Sequence, residues 1–229
     1  VCVIMPALNE ELVIGKVVKS ALTAFKDSPH QVTVVVINDR SKDNTAKNAR
    51  SAGAIVIDHI VWTGAGGGTA TGLSHARQNK FDIAVTMDAD GQHDPMDVTK
   101  GVEQLIKSKS DLLLGSRLID SKGMSRVKVL GNKGLSFITW VIFGIRSTDS
   151  QSGLRVFSRN ALERLYWKSS GYDFASEMLW RAHQQKLKID EFSIKAIYTD
   201  YSKAKGQSNW NAINIIKSLV RRRIAEMFE

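Results

Sequence analysis

The sequence contains almost no cysteine and no long apolar run, and both shortages limit what the protein can be. The single cysteine, Cys2, cannot form an internal disulfide, and its apolar surroundings favour a small buried side chain in a protein of a reducing compartment. No apolar run reaches the roughly 18 residues that span a bilayer, and the chain does not start with a signal-peptide pattern. A membrane anchor beyond Glu229, or one supplied by a partner, stays open.

The chain is long and apolar enough for a sizeable core. It has 229 residues, 43% of them hydrophobic, which predicts one large domain or a domain with a C-terminal appendage. Its 32 Lys and Arg residues outnumber 23 Asp and Glu residues, for a net charge of +9. This excess favours anionic partners, namely nucleic acid, phosphorylated small molecules or an anionic membrane face, without choosing among them.

Strand and helix patterns alternate through the first half of the chain. Apolar runs predict strands at 1–5, 32–37, 55–57, up to Asp88, and at 112–115. Pro6 is expected to end the first strand, and a glycine-rich turn is expected before a helix near 69–77. Strands separated by helices imply an α/β fold with a mostly parallel sheet and flanking helices.

An aspartate-rich turn follows the fourth predicted strand. Asp88 and Asp90 are spaced i, i+2, so both carboxylates leave the strand end on one side. Carboxylates held close repel each other unless a cation neutralises them, and such oxygen ligands suit Mg²⁺ or Mn²⁺ on a diphosphate. The alternative for Asp88 and Asp90 is a simple polar turn. Asp94 is predicted to cap the next helix, with Pro95 as its first residue.

Other polar residues follow the first two strands. Asn9 and Glu10 follow the first, and Asp39 follows the second. Ligands of open parallel sheets bind beyond the carboxyl ends of the strands, so these residues mark the expected site. Asp39 could accept hydrogen bonds from a ribose or base, or it could be an ordinary turn acid.

The glycines between Gly64 and Gly72 do not fit the known phosphate-binding patterns. A dinucleotide fingerprint follows the first strand, whereas these glycines follow the third, and the Gly-Lys-Ser/Thr ending of a phosphate loop is absent. A flexible or close-approach loop accounts for them.

A nucleic-acid-binding module is the alternative from another class. The net charge and the run Arg221-Arg222-Arg223 favour it. However, the sequence has neither a reader motif nor basic residues interleaved with exposed aromatics, so no nucleic-acid partner is predicted.

Several motifs occur in a recognisable order along almost the whole chain. They are Pro6-Ala-Leu-Asn9-Glu10-Glu11, Asn38-Asp39-Arg-Ser41-Lys-Asp43-Asn-Thr45, the glycine-rich segment, and Asp88-Ala-Asp90-Gly-Gln92-His-Asp94-Pro95. This order resembles the family 2 inverting glycosyltransferases, whose GT-A domain is a Rossmann-like nucleotide-sugar-binding fold. Gly115-Ser116-Arg117, followed by Asp149-Ser-Gln-Ser152-Gly153-Leu-Arg155-Val-Phe157, is similar to their polyprenyl-phosphate branch.

The resemblance implies a role for each matching residue. Those that would line the nucleoside pocket are Pro6, Ala7, Asn9, Glu10 and Asp39, and those that would bind Mg²⁺ or Mn²⁺ on the donor diphosphate are Asp88, Asp90 and Gln92. Arg117 and Arg126 would meet the acceptor phosphate or the diphosphate. The reacting centre would contain Asp149, Ser152 and Arg155, and a basic loop would contribute Lys203 and Lys205 as phosphate contacts.

The chemistry of a polyprenyl phosphate agrees with this pattern. Its second pKa is about 6, so the acceptor is largely a dianion at neutral pH and needs no strong general base. The protein must instead neutralise two anionic substrates and stabilise the diphosphate leaving group. A metal on one side and guanidinium groups on the other would do so.

Two apolar segments flanked by cations predict contact with a membrane surface. Residues 135–145 are nearly continuously apolar and too short to span a bilayer; they form either an interfacial helix or a core helix. Apolar residues recur at helical spacing over 210–227 beside Arg221-Arg222-Arg223, which is typical of an interfacial amphipathic helix or the start of an anchor.

These patterns predict a GT-A catalytic domain at 1–200 and a basic loop with a membrane-associating helix at 201–229. The expected activity is transfer of glucose, N-acetylglucosamine or mannose from UDP or GDP to undecaprenyl or dolichyl phosphate at the cytoplasmic face of a membrane. A saccharide acceptor and sugar nucleotidyltransfer are the alternatives, but nucleotidyltransfer leaves the motif at 149–155 unexplained. Whether the chain forms a homo-oligomer stays open.

Overall fold

The computed structural model of the chain describes residues 1–122 and 124–197. Its elements in chain order are β1 (Cys2–Ala7), α1 (Ile14–Ala24), β2 (Thr33–Asn38), α2 (Thr45–Ser51), β3 (Ile55–Asp58), α3 (Gly64–Gln78), β4 (Ile83–Thr86), α4 (Pro95–Ser108), β5 (Leu112–Ser116), α5 (Arg126–Phe143), β6 (Arg155–Ser158), α6 (Arg159–Arg164), α7 (Phe174–Gln184) and β7 (Ile189–Ser193). The predicted segment at 201–229, with Lys203, Lys205 and the amphipathic helix, lies outside the described residues.

The strands form one seven-stranded sheet in the order β3-β2-β1-β4-β6-β5-β7. β6 is antiparallel to both of its neighbours, and the other described pairings are parallel. The predicted α/β fold with a mostly parallel sheet is therefore confirmed, although the sequence did not reveal β6 and β7. Because β6 runs in the opposite direction, its first residue lies at the edge where β4 and β5 end.

The sheet is covered on both faces, as its apolar strands require. On one face α1 and α4 pack against alternate residues such as Val3 and Met5. On the other face α3, α6 and α7 pack against the intervening residues, including Cys2 and Ile4. Burial raises the pKa of the Cys2 thiol to about 12, in agreement with the predicted small buried side chain.

The first strand continues through Pro6, contrary to the sequence prediction. Pro6 lies opposite Ile37 of β2, whereas the pairing of β1 with β4 ends at Ile4 and Thr86. The carbonyl of Ile4 faces β4, where it accepts from the Met87 amide, so the nitrogen of Pro6 faces the same side. That side has no strand partner at Pro6, and the missing N–H therefore costs the sheet no hydrogen bond.

The glycine-rich segment is helical, which corrects the predicted loop, whereas the close approach expected of its glycines is present. α3 begins at Gly64, five residues before the predicted start near 69. A Cβ on Gly72 would clash with Ile4 of β1, and a Cβ on Gly66 would lie 2.8 Å from the Phe174 side chain. The glycines let this helix pack closely against the sheet on one side and the 169–174 segment on the other.

Candidate active site

The loops after β1 and β2 are tied together at the carboxyl edge of the sheet. Asn9 has a left-handed backbone conformation (φ 54°). Its backbone N–H donates to the Ser41 hydroxyl at 2.9 Å, and its side-chain Oδ1 accepts from the Lys42 backbone N–H at 2.8 Å. The amide of the buried Glu10 donates to the Thr45 hydroxyl at 2.7 Å. These contacts, next to Pro6 and Ala7 at the end of β1, hold the two loops together at the place where the nucleoside is predicted to bind.

The carboxylate of Asp39 binds the loop between β3 and α3. One oxygen accepts from the Thr63 amide at 2.8 Å and lies 2.9 Å from Nδ1 of His59, and the other accepts from the Gly64 amide at 2.7 Å. Burial acts to raise the pKa of Asp39, but these hydrogen bonds outweigh it and hold the pKa below its ordinary value. Asp39 therefore fixes this loop, which is the role expected of a turn acid.

Three amides in the first turn of α3 are bound by the protein itself. Asp39 takes the Gly64 amide, and the carbonyl of Ser170 accepts from the amides of Gly66 and Gly67 at 2.7 and 3.3 Å. Free N–H groups at a helix start would be needed to bind phosphate there. This arrangement agrees with the rejection of the glycines as a phosphate-binding motif.

Asp88 lies just beyond the end of β4 and is held by a histidine. Nε2 of the buried His93 is 2.9 Å from one of its carboxylate oxygens, while 53% of the Asp88 side chain remains open to solvent. Loss of hydration acts to raise the pKa of Asp88. The bond to His93 and the charges of Arg117 and Arg155 more than compensate, and the pKa lies below its ordinary value.

Asp90 is the acid of this pair whose pKa lies above its ordinary value. Burial and the negative charge of Asp88 raise the pKa of Asp90, although hydrogen bonds from the backbone and side-chain amides of Gln92 partly offset them. The pKa values of the two acids are thus pushed apart, as expected when like charges share a site.

A divalent cation fits this pair of acids. In the described part of the chain no three His, Cys, Asp or Glu side chains converge on one point. Asp88 and Asp90 would offer a cation two carboxylate ligands, with Gln92 beside them. Mg²⁺ commonly binds through one or two carboxylates and fills its other positions with phosphate oxygens and water. A cation here would also relieve the repulsion that raises the pKa of Asp90.

Arg117 and Asp149 form a bidentate ion pair at the end of β5. Nε and Nη2 of Arg117 donate to the two oxygens of Asp149 at 2.7 and 2.9 Å, and the Arg117 amide adds a third bond at 3.2 Å. The Asp149 side chain is fully buried, while 19% of the Arg117 side chain is exposed. Asp149 thus fixes the guanidinium plane, and Arg117 keeps an accessible surface for an anion.

Asp149→Asn is expected to lower the free energy of unfolding by about 2 to 4 kcal/mol, because it leaves Arg117 without its bidentate partner. Asp120→Asn is the matched control, since Asp120 pairs with Lys122 on the surface at 3.6 Å and should contribute less than about 1 kcal/mol. Urea unfolding of both variants measures the difference. Equal midpoints for the two variants would contradict the structural role of Asp149.

Arg155 opens β6 and is almost completely buried. It pairs in register with Thr86 of β4 and Leu114 of β5, donates through Nη2 to the Ser150 carbonyl at 3.1 Å, and stacks on the Phe174 ring at 5.2 Å. Burial lowers its pKa to about 10, so the guanidinium stays charged at neutral pH.

The hydroxyl of Ser152 is buried without a hydrogen-bond partner among the described residues. It lies in the loop that connects Asp149 to Arg155, and its own amide bonds the Asp149 carbonyl at 3.3 Å. Buried hydroxyls are rarely left unpaired, so this atom can accept or donate a bond to a molecule in the site.

Arg126 does not join this cluster. It is exposed at the first residue of α5, roughly 15 Å along the helix from Ser136, where α5 contacts the loop before Ser152. Its guanidinium makes no ion pair or hydrogen bond with the described residues. Sequence order alone could not show this separation.

Sequence analysis missed two residues that shape the site. His93 holds Asp88, and Gly153 lies so close to that carboxylate that an added Cβ would be 2.5 Å from its Oδ2. His93 stands next to Gln92 in the acidic motif, which is a weak signal. Gly153 stands 65 residues from Asp88, and only the pairing of β6 with β4 brings them together.

Two relatives of this chain are named for sugar transfer to a lipid phosphate. A protein named UDP-N-acetylglucosamine–dolichyl-phosphate N-acetylglucosaminyltransferase, from Methanococcus voltae, is 37% identical over 99% of this chain and 97% of its own length. The undecaprenyl-phosphate mannosyltransferase of Micrococcus luteus is 25% identical over 90% of this chain and 86% of its own.

Solved structures share the fold. Glucosyl-3-phosphoglycerate synthase of Mycobacterium tuberculosis, crystallised with Mn²⁺, UDP-glucose and phosphoglyceric acid, superposes with a TM-score of 0.69 at 22% identity over 95% of this chain and 78% of its own. The profile described as Glycosyl transferase family 2 matches residues 2–166, most of the chain. The chain that carries the Asp88 and Asp90 pair is thus a member of glycosyl transferase family 2.

Proposed function

We propose that this enzyme transfers one sugar from a nucleotide diphosphate sugar to a polyprenyl phosphate, inverting the anomeric carbon. The observation that carries the proposal is the meeting of two oppositely charged groups at one sheet edge. A carboxylate pair suited to a cation follows β4. Arg155 lies opposite Thr86 at the end of that strand, Arg117 follows the end of β5, and the charges of both arginines lower the pKa of Asp88. Two anionic substrates can therefore be neutralised side by side.

UDP-N-acetylglucosamine is the first donor to test, because the Methanococcus voltae relative named for that donor matches nearly its whole length. UDP-glucose and GDP-mannose are the other candidates. The nucleoside would lie between the joined loops after β1 and β2, bounded by Asn9, Glu10 and Asp39.

Asp88, Asp90 and Gln92 would hold the cation. Mn²⁺ or Mg²⁺ bound there supplies positive charge to the diphosphate leaving group. The mycobacterial protein crystallised with Mn²⁺ and UDP-glucose has the same fold, which supports a divalent cation in general. His93 keeps the Asp88 carboxylate oriented toward the site.

The acceptor phosphate would bind on the other side of Asp88. Arg117, Arg155 and the unpaired Ser152 hydroxyl are its proposed contacts there. The phosphate oxygen attacks the anomeric carbon as the bond to the diphosphate breaks, and no base is required since the acceptor is already ionised. Two nearby acids that could act as a base are already bound within the protein. Asp149 pairs with Arg117, and the fully buried Glu177 accepts hydrogen bonds from the backbone amides of residues 168 and 169.

Arg126, Lys203 and Lys205 are proposed as outer phosphate contacts. The last described residues run beside the metal motif, where the Ile197 amide donates to the Gln92 carbonyl at 3.1 Å. Lys203 follows six positions later, within about 20 Å of chain reach from that point.

The exposed residues of α5 support binding of the enzyme to a membrane surface. Its exposed apolar residues are Val127, Leu130, Phe137, Trp140 and Val141. Cationic Arg126 and Lys133 lie on the same helix, a combination typical of helices in an anionic interface. None of the helices in residues 1–122 and 124–197 is long and apolar enough to cross a membrane. We propose that the enzyme works on the cytoplasmic face of a bilayer through this surface.

Release of nucleoside diphosphate tests the proposed reaction. The enzyme is offered UDP-N-acetylglucosamine, UDP-glucose or GDP-mannose with Mn²⁺, with and without a short-chain polyprenyl phosphate in detergent. We expect release that depends on the acceptor with one donor and stops when a chelator removes the metal. Release that ignores the polyprenyl phosphate, or none with any donor, would overturn the acceptor assignment and direct attention to a saccharide acceptor.

A further inference from the structure

Two of the three buried residues of helix α5 are polar. Its buried residues are Ser136, Thr139 and Phe143, whereas its exposed side is largely apolar. Ser136 is 5% exposed and Thr139 is 0% exposed. Hydroxyl groups removed from water need hydrogen-bond partners, so the contacts of these two side chains determine what the inner face of α5 holds.

Ser150 is the residue that they hold. Its amide donates to the Ser136 hydroxyl at 3.0 Å, and its own hydroxyl lies 3.4 Å from those of Ser136 and Thr139. The carbonyl of Ser150 accepts from Arg155 at 3.1 Å. The preceding residue, Asp149, binds Arg117. One backbone segment thus connects α5 to both arginines of the site.

The network is closed on its far side by α7. The Thr139 hydroxyl lies 2.9 Å from that of Ser176, and the Gln151 side chain donates to the hydroxyls of Ser150 and Ser176 at 3.2 Å. Ser150 and Ser176 are 1% and 0% exposed. The hydroxyls of Ser136, Thr139, Ser150 and Ser176 each have at least one partner, so Ser150 is held in one position between α5 and α7.

We propose that Ser136 and Thr139 are positioning residues for the acceptor-phosphate site. They fix Ser150, and through it the guanidinium groups of Arg155 and Arg117. This inference rests on the proposed function, which assigns those arginines to the acceptor phosphate. The predicted nucleoside pocket is held by different contacts, those of Asn9, Glu10 and Asp39, so a defect in the network affects the acceptor and spares the donor.

Steady-state kinetics with a short-chain polyprenyl phosphate in detergent and the active nucleotide sugar test this role. Thr139→Val removes the hydroxyl and nearly keeps the shape. We expect it to lower kcat/KM for the acceptor by about tenfold to a hundredfold, as a small misplacement of binding groups does, with KM for the donor within about twofold. Thr139→Ser keeps the hydroxyl and should restore acceptor kinetics.

Thr99→Val is the matched control. Thr99 is a buried helical threonine whose hydroxyl donates to the Met96 carbonyl, as that of Thr139 donates to the Leu135 carbonyl, but it lies in α4 outside the network. It should leave the acceptor kinetics unchanged. Ser136→Ala provides a second test if Thr139→Val does not fold.

Three results would overturn the positioning role. The first is unchanged acceptor kinetics in both Thr139→Val and Ser136→Ala. The second is a loss of kcat/KM in Thr139→Val that is equal for donor and acceptor. The third is a loss of acceptor kcat/KM in Thr139→Ser as large as that in Thr139→Val. A wild-type enzyme without acceptor-dependent release would instead overturn the proposed function, so the two failures are distinguishable.

Discussion

Asp90→Asn is expected to reduce sugar transfer by about a thousandfold or more, because the cation would lose one of its two carboxylate ligands. Stabilisation of a leaving group by a metal contributes several kcal/mol to the barrier, and about 4 kcal/mol corresponds to this factor. The variant should remain folded. Burial and the charge of Asp88 raise the pKa of Asp90, so removing its charge also removes a repulsion, and thermal stability should stay equal or rise.

Asp94→Asn is the matched control for this experiment. Asp94 lies four residues further along, caps α4 through the Met96 amide at 3.0 Å, and can be replaced by asparagine, which caps equally well. Its rate should therefore equal that of the wild type. Mn²⁺ titration by calorimetry gives a second readout, with weakened binding expected only in Asp90→Asn. If Asp90→Asn kept the Mn²⁺ affinity and the transfer rate of the wild type, the assignment of Asp88 and Asp90 as metal ligands would be wrong.

The parts of the site that lie close together in sequence could be predicted from it. Asp88 and Asp90 are separated by one residue, so they stay close together in any fold, and the charge of Asp88 raises the pKa of Asp90. The capping of α4 by Asp94, with Pro95 as its first residue, was also predicted and is confirmed. In each case the interaction is determined by local backbone geometry.

The contacts between distant segments could not be predicted in the same way. The pairing of Arg117 with Asp149 depends on the position of the four-residue strand β6 between β4 and β5, which periodicity did not detect. Asp39 was expected to face a ligand, but its carboxylate also binds the amides of Thr63 and Gly64, a bond pattern that no sequence spacing indicates. The order of the motifs indicated the candidate site residues, and the order of the strands in the sheet determines which of them are in contact.

The role of the glycines between Gly64 and Gly72 could not be predicted from the sequence either. A run of glycines indicates either flexibility or close packing, and composition cannot separate the two. Only the position of Ile4 beneath Gly72, and of Phe174 beside Gly66, shows that α3 is a packed helix. Gly153, a single glycine in a polar loop, gave even less signal, yet it touches the Asp88 carboxylate of the proposed metal site.

Gly153→Ala is expected to lower the transfer rate by about a hundredfold, although it adds only one methyl group. The new Cβ would lie 2.5 Å from Oδ2 and 2.6 Å from Cγ of Asp88, far inside van der Waals contact. The backbone cannot easily retreat, because the Gly153 carbonyl accepts from the Thr86 hydroxyl at 2.9 Å on the neighbouring strand. The carboxylate must therefore move, and a displacement of about 1 Å in a binding group can cost this factor.

Gly15→Ala distinguishes this effect from a general intolerance of added methyl groups. A Cβ at Gly15 meets only the Asn48 carbonyl, at 3.8 Å, and alanine favours the helix by up to about 1 kcal/mol. Its rate should match the wild type and its melting temperature should not fall. Calorimetric titration with Mn²⁺ should show weaker binding in Gly153→Ala alone. If Gly153→Ala kept wild-type rate and Mn²⁺ affinity, the Asp88 carboxylate would not need its present position, and the metal assignment would have to rest on Asp90 and Gln92.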